Sequence, residues 1–324
     1  MIVDGHLDIA WNALAHGHRF DAPPARGHLV SRPALEAAGV GIVCCTIFCP
    51  PSGWARSNGF AYATPREAYL IARAQLGYYR SAGLPLIRDR RDLDRHLRRW
   101  PRGGLAGVLL MEGADPIESP AQMAWWAGQG VRIVGPAWGR TRYAGSTSEP
   151  GGLTPAGMEL LRAMRATGTI LDVSHLADQA LAESLALWDG PIVASHSNAR
   201  ALVPGDRQLE DRTVREIAAR GGMIGVSFYG GHLRVDGRRP RLQDVVRQVE
   251  HLASVAGSAE HVGLGTDLDG GFSAAQAPLR RLEQIGELRR LLLQRFTKRE
   301  TEGILGANWI EFLRRNLAVS KEGS

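Results

Sequence analysis

The chain has 324 residues, of which 44% are hydrophobic and 22% are charged, so it can bury a large core and has an ordinary soluble composition. Its formal net charge is +6, but acidic residues interleave the basic segment 88–102 and no known motif accompanies it, which argues against nucleic-acid binding. Without a membrane-length apolar run or a secretory signal before the first strand, a cytoplasmic protein with no membrane partner is expected. The cysteines at positions 44, 45 and 49 are expected to be reduced thiols in the core.

Apolar runs of strand length recur along the chain, and most of them are followed by a turn and a helical pattern. They are Ile2–Ile9, Gly41–Phe48, Gly107–Met111, Val131–Val134, Thr169–Val173, Pro191–Ala194, Gly222–Phe228 and His261–Gly265. Their nearly continuous apolar character is typical of strands covered on both faces. Capping boxes beginning at Thr64 and Thr297 predict helices between and after them. The alternation favours a closed (β/α)8 TIM barrel over an open sheet, and no Gly-x-Gly-x-x-Gly turn follows the first strand, which argues against a dinucleotide site.

We expect a single catalytic domain over residues 1–324. Two connections in it are long, at about 49–63 after the second strand and 137–153 after the fourth. The second of these carries Arg140, Arg142 and Tyr143. Long loops at the carboxyl ends of barrel strands usually shape the substrate pocket.

Residue types that bind metal ions follow five of the predicted strands. They are His6 and Asp8, Glu112, His175, His196 and Asp267, at the ends of strands one, three, five, six and eight. In a barrel these ends converge on one mouth. A polar group beside a buried strand is costly unless it has a partner, and a shared metal would satisfy all of them.

The number of these ligands favours two ions. Three histidines and two carboxylates exceed the needs of one open tetrahedral site and suit two cations about 3.5–4 Å apart, bridged by a carboxylate and a hydroxide. Glu112 is the expected bridge, with His6 and Asp8 completing one ion. His175 and His196 would complete the other. Two Zn²⁺ per chain are the first choice for this mixed N/O set, with Mn²⁺ and Fe²⁺ as open alternatives.

The remaining carboxylate has a separate expected role. Asp267 would lie near the bridging water, where it could take a proton and return it to the leaving group.

Five stretches and a late Gly-Ala-Asn resemble one known family in the right order over almost the whole chain. They are Asp4–Asp8 (DGHLD), Met111–Gly113 (MEG), Leu171–His175 (LDVSH), Ser195–Ser197 (SHS), Gly263–Gly270 (GLGTDLDG) and Gly306–Asn308 (GAN). The family is that of membrane dipeptidase (renal dipeptidase, peptidase M19), which comprises binuclear zinc hydrolases. The resemblance implies a (β/α)8 barrel of the metallo-dependent hydrolase type, dipeptide substrates and a homodimer.

The resemblance also suggests substrate-binding residues. Arg207 follows the sixth strand, where family members place an arginine that contacts the substrate carboxylate, and a guanidinium fork suits that task. Tyr229, after the seventh strand, resembles a substrate-binding tyrosine of the family. The other histidines are not expected to be catalytic, and His232 ranks highest among them only because it follows Tyr229 in the loop after the seventh strand.

The segment after the fourth strand departs from the family pattern. Family members often carry a histidine there that reaches the substrate carbonyl, whereas Val134–Arg142 (VGPAWGRTR) contains none. Stabilisation of the oxyanion is then expected from the metal alone, or from Arg140 or Arg142.

The predicted function is a zinc-dependent dipeptidase that cleaves the peptide bond through a metal-bridging hydroxide. The missing histidine keeps open a related amidohydrolase acting on another amide, a lactam or an ester. A third alternative is a non-catalytic metal-binding barrel.

Overall fold

Eight parallel strands close into a barrel in the computed structural model of the chain, which describes residues 1–54 and 60–318. In chain order the strands are β1 (Ile2–Leu7), β2 (Val40–Phe48), β3 (Ala106–Glu112), β4 (Val131–Gly135), β5 (Ala144–Ser146), β6 (Glu149–Leu153), β7 (Ile170–Asp172), β8 (Ile192–Ala194), β9 (Met223–Val226) and β10 (Val262–Leu264). The barrel order is β1-β10-β9-β8-β7-β4-β3-β2, and β5 pairs with β6 in a separate antiparallel hairpin. The predicted (β/α)8 barrel is confirmed, and each of the eight predicted strands overlaps a barrel strand.

Helices follow most of the barrel strands. They are α1 (Ile9–His16), α2 (Arg32–Ala37), α3 (Pro65–Ser81), α4 (Arg90–Arg99), α5 (Met123–Gly128), α6 (Pro155–Ala166), α7 (Asp178–Leu187), α8 (Asp211–Ala219), α9 (Gly230–Leu233), α10 (Leu242–Ala256), α11 (Ile285–Leu292), α12 (Lys298–Glu302) and α13 (Asn308–Asn316). Both predicted capping boxes form: the Thr64 hydroxyl accepts the Glu67 N–H, and the Thr297 hydroxyl accepts the Glu300 N–H. Within residues 1–54 and 60–318, we find no helix with the length and apolar character that a membrane crossing needs.

Side chains from the strands and from α13 fill the interior of the barrel. Val108 of β3 and Val193 of β8 belong to one buried cluster that also contains Trp309 and Phe312 of α13. The indole N–H of Trp309 donates to the carbonyl of Leu264 at 2.9 Å. Because α13 and this layer fill the barrel, only the carboxyl ends of the strands are left open for a site.

The two predicted loops have different outcomes. Part of the segment 137–153 is not a loop, because β5 and β6 form a hairpin within it. Tyr143 before the hairpin is fully buried, and its hydroxyl donates to the Ile117 carbonyl. Of the segment 49–63, residues 55–59 lie outside the described part of the chain.

The three cysteines are free thiols, and all of them are buried in the hydrophobic core, as expected. Cys44 and Cys45 lie within β2, and Cys49 directly follows it. Burial raises the pKa of each of these thiols above its ordinary value. They therefore act as small apolar core residues.

Two glycines make room for the backbone that carries the open end of the barrel. A Cβ atom at Gly265 would lie 1.8 Å from the carbonyl oxygen of Ser195, and one at Gly225 would lie 2.0 Å from it. Real Cβ atoms do not approach an oxygen so closely. Glycine is therefore needed at both positions for β8, β9 and β10 to meet.

Replacing Gly265 with alanine should destabilise the fold by about 1–3 kcal/mol or more, because the added methyl group overpacks a rigid backbone contact. Urea unfolding monitored by circular dichroism measures the effect as a lower midpoint. The control is Gly77→Ala in α3, where an added Cβ meets nothing within 4 Å. That change should leave stability unchanged or raise it by up to about 1 kcal/mol, since alanine favours a helix over glycine. Equal midpoints for the two variants would contradict the expectation.

Candidate metal centre

A cavity of about 380 Å³ opens at the carboxyl ends of the barrel strands. It is lined by Asp8, Phe48, Trp54, Glu112, Trp138, His175, His196, Arg207, Tyr229, His232, Asp267, Gly270, Gly271 and Phe272. Predicted metal ligands from four strand ends therefore share one wall of this cavity. His6, the remaining predicted ligand, is completely buried directly beneath them.

The first strand holds His6 and Asp8 in place through several buried hydrogen bonds. The carboxylate of Asp4 accepts the N–H of His6 at 3.2 Å and the N–H of Thr266 at 2.8 Å, which ties β1 to the end of β10. The hydroxyl of Thr46 on β2 donates to the carboxylate of Asp8. Neither His6 nor Asp8 can turn away without breaking a buried contact.

Glu112 lies at the centre of the cluster, at the end of β3. Its Oε1 atom is 3.1 Å from Nε2 of His175 and 3.3 Å from Nε2 of His196. Its Oε2 atom is 3.4 Å from Nε2 of His6. The two oxygens of one carboxylate thus face two different groups of side chains, which is the arrangement that a bridging ligand needs.

The two histidines after β7 and β8 present their ring nitrogens to the same point. Nε2 of His175 lies 3.0 Å from Nε2 of His196. Burial lowers the pKa of His175 to about 4 and lowers the pKa of His196 well below its ordinary value, so both rings are neutral near pH 7. Two neutral imidazoles that point their Nε2 atoms at each other suit a shared region that a cation can occupy.

His6 completes the donor set in a different protonation state. Burial alone would lower its pKa, but Glu112, Asp8 and Asp267 outweigh this and raise the pKa of His6 to about 10. Although burial opposes it, the interaction with His6 lowers the pKa of Glu112 well below its ordinary value. Nε2 of His6 is buried and forms no hydrogen bond to any residue in the described ranges. A cation that binds this nitrogen would displace its proton and take the place of that proton beside the Glu112 carboxylate.

The ligand atoms form groups compact enough for metal ions. One group is Glu112, His175 and His196, and a second is His6, Asp8 and Asp267, with ligand atoms within 4.8 Å of one another in each. A third group consists of Asp172, His6 and His196. The carboxylate of Asp172 already accepts the N–H groups of Ser174 and Ser195, so we do not assign it as a ligand. The residues present therefore fit a centre of two cations.

Two residues of this centre have a strained backbone conformation. His175 has a φ angle of 68° and Asp267 one of 57°, in the left-handed region that residues other than glycine rarely adopt. Neighbouring segments hold both residues: the N–H of Thr147 donates to the His175 carbonyl at 2.9 Å, and the N–H of Asp267 donates to the His6 carbonyl at 3.2 Å. Strain of this kind persists where the surroundings over-determine it, and it is common at functional sites.

The structure brings Arg207 and Tyr229 to the cavity, as the resemblance predicts, but not Arg140 or Arg142. The guanidinium of Arg142 contacts Asp115 at 3.2 Å and donates to nearby carbonyls, and that of Arg140 donates to the carbonyl of Pro150. Neither arginine is among the residues that line the cavity. The geometry gives no support to the expected role of these two side chains in stabilising an oxyanion.

An aromatic wall, which we define as Phe48, Trp54 and Trp138, borders the cavity instead. The ring centroids of Trp54 and Trp138 are 5.1 Å apart, and those of Phe48 and Trp138 are 4.7 Å apart. Trp138 also lies 6.0 Å from the ring of His175. Sequence reasoning missed this wall, because Trp54 and Trp138 lie in irregular segments where periodicity predicts no orientation.

Sequence reasoning also missed Ser195, which contacts two predicted ligands from different strands of the barrel. Its hydroxyl lies 3.1 Å from Nδ1 of His6 and 2.9 Å from Nδ1 of His196. Such contacts orient the rings so that their Nε2 atoms face the centre. The only signal in the sequence is that Ser195 immediately precedes a predicted ligand.

Comparison with known proteins agrees with this geometry. The family model described as membrane dipeptidase (peptidase family M19) matches residues 1–322. An uncharacterized protein in the pqqA 5' region of Klebsiella pneumoniae is 38% identical over 180 residues, covering 51% of this chain and 66% of that protein. Dipeptidase tcpJ of Claviceps purpurea is 31% identical over 253 residues, covering 74% of this chain and 59% of that protein. The matches thus span less than two thirds of the length of either relative.

A solved structure is similar over nearly the full length of both chains. It is a metallo peptidase from Rhodobacter sphaeroides with a bound phosphinate mimic of the dipeptide L-Ala-D-Ala. It shares 25% identity with this chain, with a TM-score of 0.85, and the match covers 97% of this chain and 99% of that one. Together with the match of the family model over almost all residues, this places the chain in the membrane dipeptidase family, peptidase family M19.

Proposed function

We propose that this chain is a metal-dependent dipeptidase that hydrolyses the peptide bond of dipeptides or of close amide analogues. The observation that carries this proposal is the convergence of three imidazole nitrogens on the Glu112 carboxylate beneath a cavity of about 380 Å³. That volume is at the small end of the range for ligand pockets and suits a two-residue substrate better than a long peptide. The dipeptide mimic bound by the relative from Rhodobacter sphaeroides supports the same substrate class.

We assign two divalent cations to the centre. His6 and Asp8 would hold one ion, His175 and His196 would hold the other, and Glu112 would be a ligand of both. An N/O donor set without thiolates suits zinc, with Mn²⁺ and Fe²⁺ as alternatives. When bound, the cations would polarise the scissile carbonyl and lower the pKa of a water molecule toward neutrality.

The side chains around the centre would bind the substrate and move protons. Asp267 would accept a proton from the attacking water at a carboxylate oxygen and deliver it to the nitrogen of the leaving amine. Arg207 would hold the substrate carboxylate through its guanidinium charge, with Tyr229 beside it. Because Arg207 follows β8 and Phe48 of the aromatic wall ends β2, on the opposite side of the barrel, the amino-terminal residue of the substrate would point toward that wall.

The segment after β4, which in family members contacts the substrate carbonyl, differs from the family pattern. With no histidine after β4, no imidazole from that loop would contact the developing oxyanion, so its stabilisation would fall to the cations. The aromatic wall in the same region favours substrates with an apolar amino-terminal side chain, since aromatic rings recognise apolar groups by burial.

We further propose that residues 1–324 act as a single catalytic domain. His6 from the first strand and Asp267 from beyond the last both contribute to one cavity region, so neither half of the chain can supply the site alone. The homodimer and the cytoplasmic location expected from the sequence stay predictions.

The test is a dipeptide library assayed with the zinc-loaded protein and with the protein stripped by a chelator. Hydrolysis of dipeptides that is lost with the metal and restored by Zn²⁺, with about two ions per chain by mass spectrometry, is the expected result. Tripeptides, lactams and esters serve as comparison substrates. Turnover confined to lactams or esters would favour the related amidohydrolase. Bound metal without turnover of any of these substrates would favour the non-catalytic barrel.

A further inference from the structure

His232 is a cavity residue to which the proposed mechanism gives no role. It belongs to α9, the short helix that follows β9, and it lines the cavity together with Arg207 and Tyr229. Its ring makes an edge contact with the ring of Tyr229, with 4.9 Å between the centroids. A histidine that only stabilised α9 would not need to face the substrate cavity.

A hydrogen bond to Ser227 holds this ring in position. Nδ1 of His232 lies 3.0 Å from the hydroxyl oxygen of Ser227, and the same oxygen accepts the N–H of Tyr229 at 3.3 Å. The serine hydroxyl can donate its proton to Nδ1, and in that arrangement the ring proton of the neutral imidazole lies on Nε2.

The backbone beneath the ring is equally constrained. The carbonyl of His232 accepts from the side-chain amide of Asn198 at 2.9 Å. The carbonyl of Ser227 accepts from the same amide at 3.1 Å, and the N–H of Ser227 donates to the Asn198 oxygen at 2.9 Å. Asn198 thus holds the backbone of both Ser227 and His232 in place. Because the His232 ring is already fixed, it loses little entropy when it binds a ligand.

The free edge of the ring offers a donor with no protein acceptor. Across residues 1–54 and 60–318, the structure shows a hydrogen bond to His232 at Nδ1 but none at Nε2. Burial lowers the pKa of His232 well below its ordinary value, and the nearby charge of Arg207 contributes to this. The His232 ring is therefore a neutral N–H donor that lies close to the Arg207 guanidinium in the same cavity.

The protein already uses part of the guanidinium of Arg207. Nη1 donates to the Ser197 hydroxyl at 3.0 Å, and Nη2 donates to the His196 carbonyl at 2.8 Å. Nη2 also lies 3.2 Å from Nε2 of His175. With Nη1 and Nη2 both engaged, the terminal edge of the Arg207 guanidinium cannot offer a carboxylate two unshared nitrogens, and a donor from another residue would complement it.

Building on the proposed dipeptidase function, we propose that His232 binds substrate by donating from Nε2 to the C-terminal carboxylate that Arg207 holds. Ser227 is a positioning residue that fixes the proton on Nε2. The recognised group is a free α-carboxylate on the leaving residue. The site should therefore discriminate a dipeptide acid from its C-terminal amide.

The experiment compares the zinc-loaded wild type with His232→Phe, which keeps a ring but removes the donor, and His232→Gln, which restores a side-chain N–H. KM and kcat are measured for an alanyl dipeptide and for its C-terminal amide. His232→Phe should raise KM for the acid about 10-fold or more, as expected for a hydrogen bond to a charged group, with kcat within about twofold. The amide should be unaffected, and His232→Gln should recover part of the loss.

Ser227→Ala and His251→Phe complete the design. Ser227→Ala leaves the His232 ring in place but removes the hydrogen bond that favours a proton on Nε2, so KM for the acid should rise by a smaller factor than in His232→Phe. If His232→Phe does not fold, Ser227→Ala tests the proposal in its place. His251 on α10 pairs with Asp211 at 2.8 Å and does not line the cavity, so His251→Phe should match the wild type. Zinc content should be the same in all variants.

Equal losses for the acid and the amide in His232→Phe, or no loss at all, would overturn the role of His232. If the wild type hydrolyses no dipeptide, calorimetric titration with the phosphinate mimic of L-Ala-D-Ala and its C-terminal amide replaces the kinetics. Weaker binding of the acid form alone in His232→Phe would then support the carboxylate contact while refuting the dipeptidase. A wild type that shows no preference for the acid form would overturn the contact itself.

Discussion

Replacing Asp267 with asparagine is expected to lower kcat by about 10²-fold or more while the metal content of the protein stays the same. Asparagine has nearly the size and shape of aspartate, so the cavity should keep its form. The amide cannot accept a proton near neutral pH, so it cannot relay one from the attacking water to the leaving amine. KM should change much less than kcat, because the proposed role of Asp267 belongs to the chemical step.

The surroundings of Asp267 suit a group that carries a proton during turnover. Burial raises the pKa of its carboxyl group well above the ordinary value, and Asp8 and Glu112 add to the rise, whereas His6 and Arg207 oppose it. Carboxyl groups with raised pKa values in clefts are typical of general acid–base catalysis. The left-handed φ of 57° at Asp267 directs this carboxyl into the cavity at a cost in backbone strain.

Steady-state kinetics and metal analysis of the same preparations separate two roles for Asp267. Its carboxylate lies within 4.8 Å of the ligand atoms of His6 and Asp8, so a metal-binding role is the competing explanation. Loss of one ion per chain in Asp267→Asn would identify it as a ligand, and an unchanged kcat would exclude it from proton transfer. Asp236→Asn is the control, because Asp236 pairs with Arg234 on an exposed loop and does not line the cavity.

The convergence of the predicted metal ligands could be anticipated from the sequence because their positions follow from topology. Each one comes at or just after a barrel strand, and the strands of a closed parallel barrel must bring their carboxyl ends together. His6 and Glu112 are therefore neighbours although 106 positions separate their numbers, and their ring nitrogen and carboxylate oxygen lie 3.4 Å apart. Strand patterns and residue types were enough for this part of the site.

The substrate side of the cavity could not be predicted in the same way, because it depends on the paths of irregular segments. Arg142 was a reasonable candidate by position, but Asp115 and nearby carbonyls bind its guanidinium away from the cavity. Trp138 occupies the cavity side of the same segment instead. No periodicity distinguishes these two outcomes, since they depend on loop contacts between residues distant in sequence.

The left-handed conformations of His175 and Asp267 could not be predicted from the sequence either. Glycine is the usual signal of a positive φ angle, and although aspartate and histidine adopt it more often than most residues, most of them do not, so neither residue predicted it here. The surrounding hydrogen bonds impose the conformation, and those bonds exist only once β7, β10 and the hairpin are in place. Strain at a catalytic site is therefore a property of the assembled fold and not of the local sequence.

Glu112→Gln should have the other large effect, a loss of bound metal from about two ions per chain to one or fewer, with kcat/KM reduced by more than about 10²-fold. Changes to groups that merely support metal ligands cost about 10–100-fold in affinity or activity, and a shared ligand should cost more. Glutamine retains the shape but removes the negative charge and one acceptor oxygen. Its amide hydrogens would also face the Nε2 atoms of His175 and His196, which lie 3.1 and 3.3 Å from the carboxylate oxygen in the wild type.

The matched control for Glu112→Gln is Glu118→Gln, six positions later in the same segment. Glu118 contacts Gln122 at 3.1 Å and Arg66 at 3.5 Å, and it does not line the cavity, so this variant should keep both ions and full activity. Mass spectrometry of the intact protein and elemental analysis both count the ions. Retention of two ions by Glu112→Gln would contradict the bridging role. Loss of both ions, and not of one, would indicate that the shared carboxylate makes the binding of the two cations interdependent, because Glu112 is the side chain assigned as a ligand of both.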